Sequence, residues 1–152
     1  MIKTDNHILL YASRFKTFYG LMFREAGKEY GLSQLEIDII LYITNNPEFN
    51  TARDLCARRG IAKSNASTGI RSLEQKQLIE ITIDSKIRKI HRLDLSEKGK
   101  RIAVVLQEIQ KKCFETMLSG FSEDEIRSMK NFLERSDRNI SDAIKEMEGR
   151  KC

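Results

Sequence analysis

The chain has 152 residues, of which 40% are hydrophobic and 32% charged, and this composition predicts one folded domain. No apolar run approaches the roughly 20 residues of a membrane span, and no signal peptide is recognised, so we expect a cytoplasmic protein without a membrane partner. The cysteines, Cys56, Cys113 and Cys152, are too widely spaced to predict a disulfide framework or a metal site. Whether any of them is redox-active stays open.

The net charge of +5 is concentrated in the middle of the chain. Residues 51–101 contain 13 lysines and arginines against six acidic residues, a local net charge of +7. Such a concentration is typical of a phosphate-binding surface. The alternative interpretation is a solvated basic face without a partner.

The first predicted helix covers residues 5–30, where apolar side chains recur at helical spacing, and Gly31 is expected to end it. A second helix begins at Ser33, because Glu36 follows three residues later and completes a capping box. It ends before Pro47, which disfavours helix in the preceding residue. The residues expected to be buried in it are Leu35, Ile39, Tyr42 and Ile43.

Two shorter helices are predicted over residues 51–59 and 63–76. Thr51 is expected to cap the first of them, and Leu55 and Cys56 to be buried. The second is amphipathic, and its apolar face consists of Ala66, Ile70 and Leu73. Its opposite face carries short polar or basic side chains, namely Lys63, Asn65, Ser67, Thr68 and Arg71.

The hydrophobic period then changes from helical to two. Ile79, Ile81 and Ile83 alternate with polar residues, which predicts a half-buried strand. A return strand is expected over residues 90–95, after the basic stretch 85–89. Two strands joined by a basic tip form a hairpin of the wing type.

Two long helices complete the predicted fold. Ser96 is expected to cap a helix over residues 97–118, and Ser122 with Glu125 forms a capping box for a last helix that ends near Glu148. The residues expected inside this last helix are Ile126, Met129, Leu133, Ile140, Ile144 and Met147. The predicted fold class is therefore mainly α with a small β-hairpin (α+β): a winged helix-turn-helix with N- and C-terminal dimerisation helices.

The amphipathic helix 63–76 has the properties of a recognition helix. Small polar groups reach phosphates or base edges without bulk, and arginine reads guanine through two hydrogen bonds. Arg71 lies farther along the helix, so we expect it to contact the DNA backbone. At the wing, Lys86, Arg88 and Lys89 suit the negative potential of a minor groove or its phosphates.

Two stretches resemble the MarR (multiple antibiotic resistance regulator) family of transcription regulators. Residues 62–79 are similar to that family's recognition helix with its ending LE-x-K-G-L-I. Residues 95–99, LSEKG, are similar to the L-T-E-K-G that closes its wing. By element order the resemblance covers nearly the whole chain, and it implies a triangular homodimer whose two winged lobes bind successive major grooves.

The resemblance also assigns residue roles. It places Lys63, Ser64, Asn65, Ser67 and Thr68 at groove-facing positions, and Arg88 and Lys89 at the basic pair of the wing. Two positions depart from the family pattern. Ile87 replaces an aspartate that helps fix the wing arginine, so the wing is expected to be looser or to contact DNA differently; Gln77 replaces a glycine, so a strained backbone is expected.

Within a single chain of residues 1–152, the winged lobe is assigned to residues 33–95 and the dimerisation region to residues 1–30 and 97–148. Long amphipathic helices at both ends would leave apolar stripes uncovered in a monomer, and a twofold dimer matches a palindromic site. The alternative is that these helices pack on each other within one chain.

Many MarR relatives bind small aromatic anions between the dimer helices and the winged lobe. The resemblance therefore implies a candidate ligand cleft lined by Phe15, Tyr19, Met22 and Phe23, the alternative being that these residues belong to the dimer core.

The predicted function is a homodimeric, sequence-specific regulator of transcription that binds double-stranded DNA at a palindromic operator, acts as a repressor and is released by a small ligand. The chain shows no glycine-rich phosphate loop, nucleophile elbow or metal spacing, so neither an enzyme nor a cofactor is expected. The alternative is a winged-helix module that binds protein without DNA, although such a module has no need for a basic helix and wing.

Overall fold

A computed structural model describes residues 7–149 of the chain. In chain order its elements are α1 (His7–Tyr30), α2 (Gln34–Asn45), α3 (Ala52–Arg59), α4 (Lys63–Gln75), β1 (Ile79–Ile83), β2 (His91–Leu95), α5 (Glu97–Met117) and α6 (Glu123–Gly149). This element order confirms the predicted fold class. The first helix is expected to begin at Asp5, which lies outside the described residues. Cys152 also lies outside them. No helix among residues 7–149 is both long and apolar enough to cross a membrane.

The predicted helix starts are confirmed by hydrogen bonds. Ser33 and Glu36 form the capping box of α2, and Ser122 with Glu125 forms that of α6. Thr51 caps α3, with Asp54 bonding back to the Thr51 backbone. The Ser96 hydroxyl accepts a hydrogen bond from the Gly99 N–H at the start of α5. In α2, α3 and α6 the paired side chains lie three residues apart, which is why the sequence alone indicated these starts.

The chain divides into two compact units, which end and begin at Cys113 and Phe114. Helix α2 lies at the centre of the first unit and is buried on more faces than the predicted stripe. Leu35 is only partly buried, whereas the following residues lie in the core: Ile37, Ile39, Ile40, Leu41, Tyr42 and Ile43. A helix that is apolar almost all round is a buried helix. Helices α1, α3 and α4 and strand β2 all pack around it.

The hairpin is less buried than its alternation predicts. Strands β1 and β2 pair antiparallel, with Ile79 opposite Leu95 and Ile83 opposite His91. Ile79 is buried, but Ile81 and Ile83 are exposed, so the prediction of a half-buried strand is wrong beyond its first residue. Within residues 7–149 the sheet has two strands, and its core residues are Ile79 of β1 and Leu93 of β2.

Two further burial predictions are corrected. Cys56 is only half-buried, because it lies at a groove beside α3. In α6 no residue is buried: Ile126 and Met129 are half-buried, whereas the rest of the predicted interior is exposed, namely Leu133, Ile140, Ile144 and Met147. The second unit consists of little more than α6 and the end of α5, so it has no second layer to cover this stripe.

Candidate nucleic-acid interface

Helix α4 is held by its apolar face against α2 and α3. Ala66, Gly69, Ile70 and Leu73 are buried there. A Cβ atom on Gly69 would lie 2.4 Å from the Cδ1 atom of Ile39, so a larger residue at this position would require the Ile39 side chain to shift. The buried face fixes which side of α4 is directed to solvent.

The solvent-directed side carries every recognition-helix residue named from the sequence. These exposed residues are Lys63, Ser64, Asn65, Ser67, Thr68 and Arg71. The Thr68 hydroxyl donates to the Ser64 carbonyl at 2.9 Å, which leaves its oxygen as an acceptor. The exposed face of α4 therefore presents charged hydrogen-bond donors, from lysine and arginine, and neutral donors and acceptors, from serine, threonine and asparagine.

The N-terminus of α4 differs from those of α2 and α3. Its N-cap residue is Ala62, which makes no side-chain hydrogen bond to the first turn. The N–H groups of a first turn have no partner within the helix, and the helix dipole makes this end positive. Lys63 lies directly beside them. The end of α4 that meets solvent is therefore suited to an anionic oxygen.

The wing tip is held by Asp84. Its carboxylate accepts hydrogen bonds from the Lys86 and Ile87 backbone N–H groups at 2.9 and 3.0 Å. These two bonds, with a smaller contribution from Arg92, hold the pKa of Asp84 below its usual value. Asp84, three residues before Ile87, therefore supplies a carboxylate at the tip that the sequence interpretation did not name.

A second network ties the wing to the lobe at its base. Arg92 forms an ion pair with Asp84 at 3.3 Å and donates to the Asn50 side-chain oxygen, also at 3.3 Å. Asn50 is buried, and its amide donates to the Leu93 carbonyl and the Asp94 carboxylate. The sequence interpretation missed Asn50, Asp84 and Arg92. Asn50 lies 42 positions from Arg92, and such a separation leaves no local pattern. Asp84 lies within eight positions of its partners, but in the sequence it only continues the polar alternation of the strand.

The three basic residues predicted at the wing, Lys86, Arg88 and Lys89, are all exposed at the tip. Between them Ile87 is 54% exposed. An open groove of about 710 Å³ lies between α3, α4 and the hairpin, and both Ser67 of α4 and His91 of β2 line it. The outward face of α4 and the wing therefore adjoin on one side of the lobe.

The turn after α4 has the strained backbone that the sequence predicted. Gln77 has φ of +59°, the left-handed conformation that favours glycine. The Ser96 hydroxyl donates to the Gln77 carbonyl at 2.7 Å, and the Ser96 N–H donates to the Leu78 carbonyl at 3.0 Å. A Cβ on Gly99 would lie 2.1 Å from the Leu78 oxygen, so this turn packs directly on the start of α5.

The four residues of the candidate ligand cleft lie along α1. Phe15, Tyr19 and Phe23 form a series, with ring centroids 5.7 and 4.8 Å apart. Phe23 is 1% exposed and lies in the core of the single chain, which is neither the open cleft nor the dimer core expected from the sequence. Phe15, Tyr19 and Met22 are half-buried. Burial raises the pKa of the Tyr19 hydroxyl, which accepts a hydrogen bond from Gln110 at 3.0 Å.

An amphipathic helix braced across two others, followed by a fixed two-stranded wing, defines a winged helix-turn-helix protein. The model of the MarR family matches residues 30–86, which span α2, α3, α4 and β1. The resemblance found in the sequence is thereby confirmed over residues 30–86, which are similar to the MarR family; members of that family are transcription regulators and not enzymes.

Solved structures show the same fold. A MarR-family regulator from Listeria monocytogenes, solved with a 26mer DNA, has a TM-score of 0.75 at 22% identity, covering 93% of this chain and 91% of that one. The regulator MarR from Oenococcus oeni PSU-1 has a TM-score of 0.71 at 21% identity, covering 88% and 99%. The transcriptional regulator SlyA has a TM-score of 0.76 at 21% identity, covering 89% and 94%. No curated protein matches the chain in sequence.

Proposed function

We propose that the chain is a sequence-specific regulator that binds double-stranded DNA through the outward face of α4 and through the wing. One observation carries the proposal: the polar and basic residues of α4 are exposed beside a basic wing that the Asp84 network holds in place. Lys63, Asn65 and Thr68 would enter the major groove, and Arg71 would contact the backbone. Lys86, Arg88 and Lys89 would meet the adjacent minor groove or its phosphates.

Three further observations support DNA as the partner. The stretch of residues 51–101 that contains α4 and the wing carries a net charge of +7. The first turn of α4 is not capped by a side chain, which suits a phosphate. The structure from Listeria monocytogenes, similar over most of both chains, was solved with DNA.

We infer that the chain acts as a homodimer through its terminal helices, residues 1–30 and 97–148. The exposed stripe of α6 includes Ile140 and Met147, and α1 exposes Ile8 and Leu9 near its start. Monomeric proteins rarely expose such apolar stretches, and a second copy would cover them. A twofold dimer would place two recognition helices on a palindromic operator. Bound there, it would block transcription, so we propose a repressor.

The first test is binding to a random-sequence duplex across a salt series, by fluorescence anisotropy. We expect log affinity to fall linearly with log salt, with a slope for roughly 6–10 released counterions. Lys89→Ala should reduce that slope by about one, whereas Lys28→Ala, a matched loss of an exposed lysine, should leave it unchanged. Absence of binding at low salt would overturn the proposal and favour the protein-binding winged helix.

We also propose that a small aromatic effector releases the DNA by binding beside Phe15, Tyr19 and Met22, whose side chains are half-buried. Benzoate is a suitable probe, because it combines an aromatic ring with an anion. We expect benzoate to weaken operator binding in the wild type and to have less effect on Tyr19→Ala. Equal effects on both proteins, or none on either, would overturn this placement of the effector.

A further inference from the structure

A buried carboxylate joins the end of the recognition helix to the turn between α1 and α2. Glu36, in the first turn of α2, is 4% exposed. Its carboxylate accepts hydrogen bonds from the Ser72 hydroxyl at 2.6 Å and from the Lys76 ammonium at 2.8 and 2.9 Å. Lys76 also donates to the Gly31 carbonyl at 2.7 Å. These four residues, Gly31, Glu36, Ser72 and Lys76, are called the Glu36 clamp below.

Within the clamp, all three N–H donors of the Lys76 ammonium group have an acceptor. An ammonium group has three donors, and here they meet the two Glu36 oxygens and the Gly31 oxygen. Glu36 also accepts from the Ser33 N–H at 2.8 Å, so it forms part of the α2 cap. Three segments, the turn after α1, the first turn of α2 and the last turn of α4, therefore depend on one carboxylate.

The clamp contacts α4 at the end away from its solvent-facing first turns. Lys63 and Lys76 are 13 residues apart, so at 1.5 Å per residue the helix extends roughly 20 Å from the clamp. A rotation of 10° at the clamp would move the first turn by about 3 Å. Hydrogen bonds to base edges tolerate far smaller displacements. The orientation of α4 at its far end is therefore sensitive to this contact.

We propose that Glu36, Ser72 and Lys76 are positioning residues for DNA recognition, which set the angle of α4 relative to the end of α1. Since α1 belongs to the proposed dimer region, this angle would determine the separation of the two recognition helices and hence the preferred spacing of operator half-sites. The inference rests on the proposed function. Of the three side chains, Ser72 is uncharged and half-buried, and its hydroxyl proton is donated to Glu36, so its loss removes no charge that could change the salt dependence of DNA binding.

The test uses full-length dimers and an operator selected by the wild type from a random duplex library. Its half-sites are then moved apart or together by one and two base pairs. We expect Ser72→Ala and Glu36→Gln to weaken binding to the selected operator about tenfold and to shift or broaden the spacing preference. The salt slope should not change. Thr44→Ala, which removes a hydroxyl bonded within α2 alone, is the matched control.

Lys76 variants separate positioning from direct contact. Lys76→Arg should largely retain the wild-type spacing preference, whereas Lys76→Met should change it at an unchanged salt slope. A slope that falls by about one unit with an unchanged spacing preference would make Lys76 a phosphate contact. That result, or a wild-type spacing preference in Ser72→Ala, would overturn the inference.

Hydrogen exchange tests the clamp without DNA. We expect the amides of α4 to exchange faster in Ser72→Ala than in the wild type or in Thr44→Ala. Unchanged exchange in α4 would overturn the inference even if the wild type bound no DNA, in which case the proposed function would have failed separately. Faster exchange with unaltered affinity and spacing would also overturn it, because the contact would then stabilise the lobe without positioning α4 for DNA.

Discussion

The Asp84 carboxylate and the Arg92 guanidinium lie 3.3 Å apart across the wing, and Arg92 reaches on to Asn50. Asp84 also accepts from two backbone N–H groups of the tip. Through Arg92, the Asp84 carboxylate thus connects the basic wing tip to Asn50, which precedes α3. A basic tip is costly to order when its charges repel one another, and this connection reduces that cost.

Replacing Asp84 with Asn should weaken DNA binding, because the tip loses its ion pair and one of its strongest acceptors. A weaker affinity would be informative, because the removal of a negative charge near DNA would by electrostatics alone strengthen binding. Asp137→Asn, the same change at an exposed site in α6, is the control. Anisotropy at fixed salt measures both variants. Stronger binding by Asp84→Asn would show that tip order has no role.

Replacing Asn65 with Ala should cost on the order of 1–3 kcal/mol of binding free energy at one base position, because an amide reads a base edge through paired hydrogen bonds. Competition among operators that differ by single base pairs measures this loss. Glu74→Ala, on the same helix and exposed, should not alter the pattern. A uniform loss across all sequences would instead assign Asn65 to a phosphate.

Ile144→Glu should dissociate the dimer, because it places a charge in the apolar stripe of α6 that we expect a second copy to cover. Lys145→Glu also alters the charge of α6 but at an adjacent exposed position, and it should remain dimeric. Sedimentation velocity over a concentration series distinguishes the two. An intact Ile144→Glu dimer would place the interface elsewhere.

Stability should fall in acid in a way that depends on Glu36. Burial raises the pKa of its carboxyl, but hydrogen bonds from Lys76, Ser72 and Ser33 outweigh burial, so the pKa lies below its usual 4.5. A lowered pKa contributes stability that is present above the unfolded-state pKa and is lost as the pH falls through the folded-state value. Urea titrations from pH 7 down to 3 should therefore show a smaller acid loss in Glu36→Gln than in the wild type. If the free energy of unfolding fell equally with pH in the two proteins, Glu36 would not be a source of the acid sensitivity.

Cys113 should resist alkylation in the folded protein. It is fully buried, and burial raises the pKa of its thiol, so little of the reactive thiolate forms. Cys56 is half-buried at the groove beside α3 and should react sooner. Mass spectrometry after a timed exposure to iodoacetamide, native and in urea, locates the modified residues. Equal native rates at the two cysteines would show that the first unit opens readily.

The sequence by itself determined the order and type of the elements, since these depend on neighbours within a few residues. Ser33 with Glu36, and Thr51 with Asp54, mark helix starts at a spacing of three. The outward residues of α4 followed from its period, because Ala66, Ile70 and Leu73 define the opposite face. The strain at Gln77 was also predictable, because a family pattern with glycine at that position meets a residue with a Cβ.

Only the tertiary structure decided which side chains hold those elements together. Asn50 meets Arg92 across 42 positions, and Glu36 meets Lys76 across 40. No local period encodes such a pair, because the distance between the partners depends on how the whole lobe packs. Burial was decided in the same way: Ile83 and Ile144 follow apolar patterns, yet both are exposed in the single chain. A pattern predicts that a face is apolar, and only the packing shows what covers it.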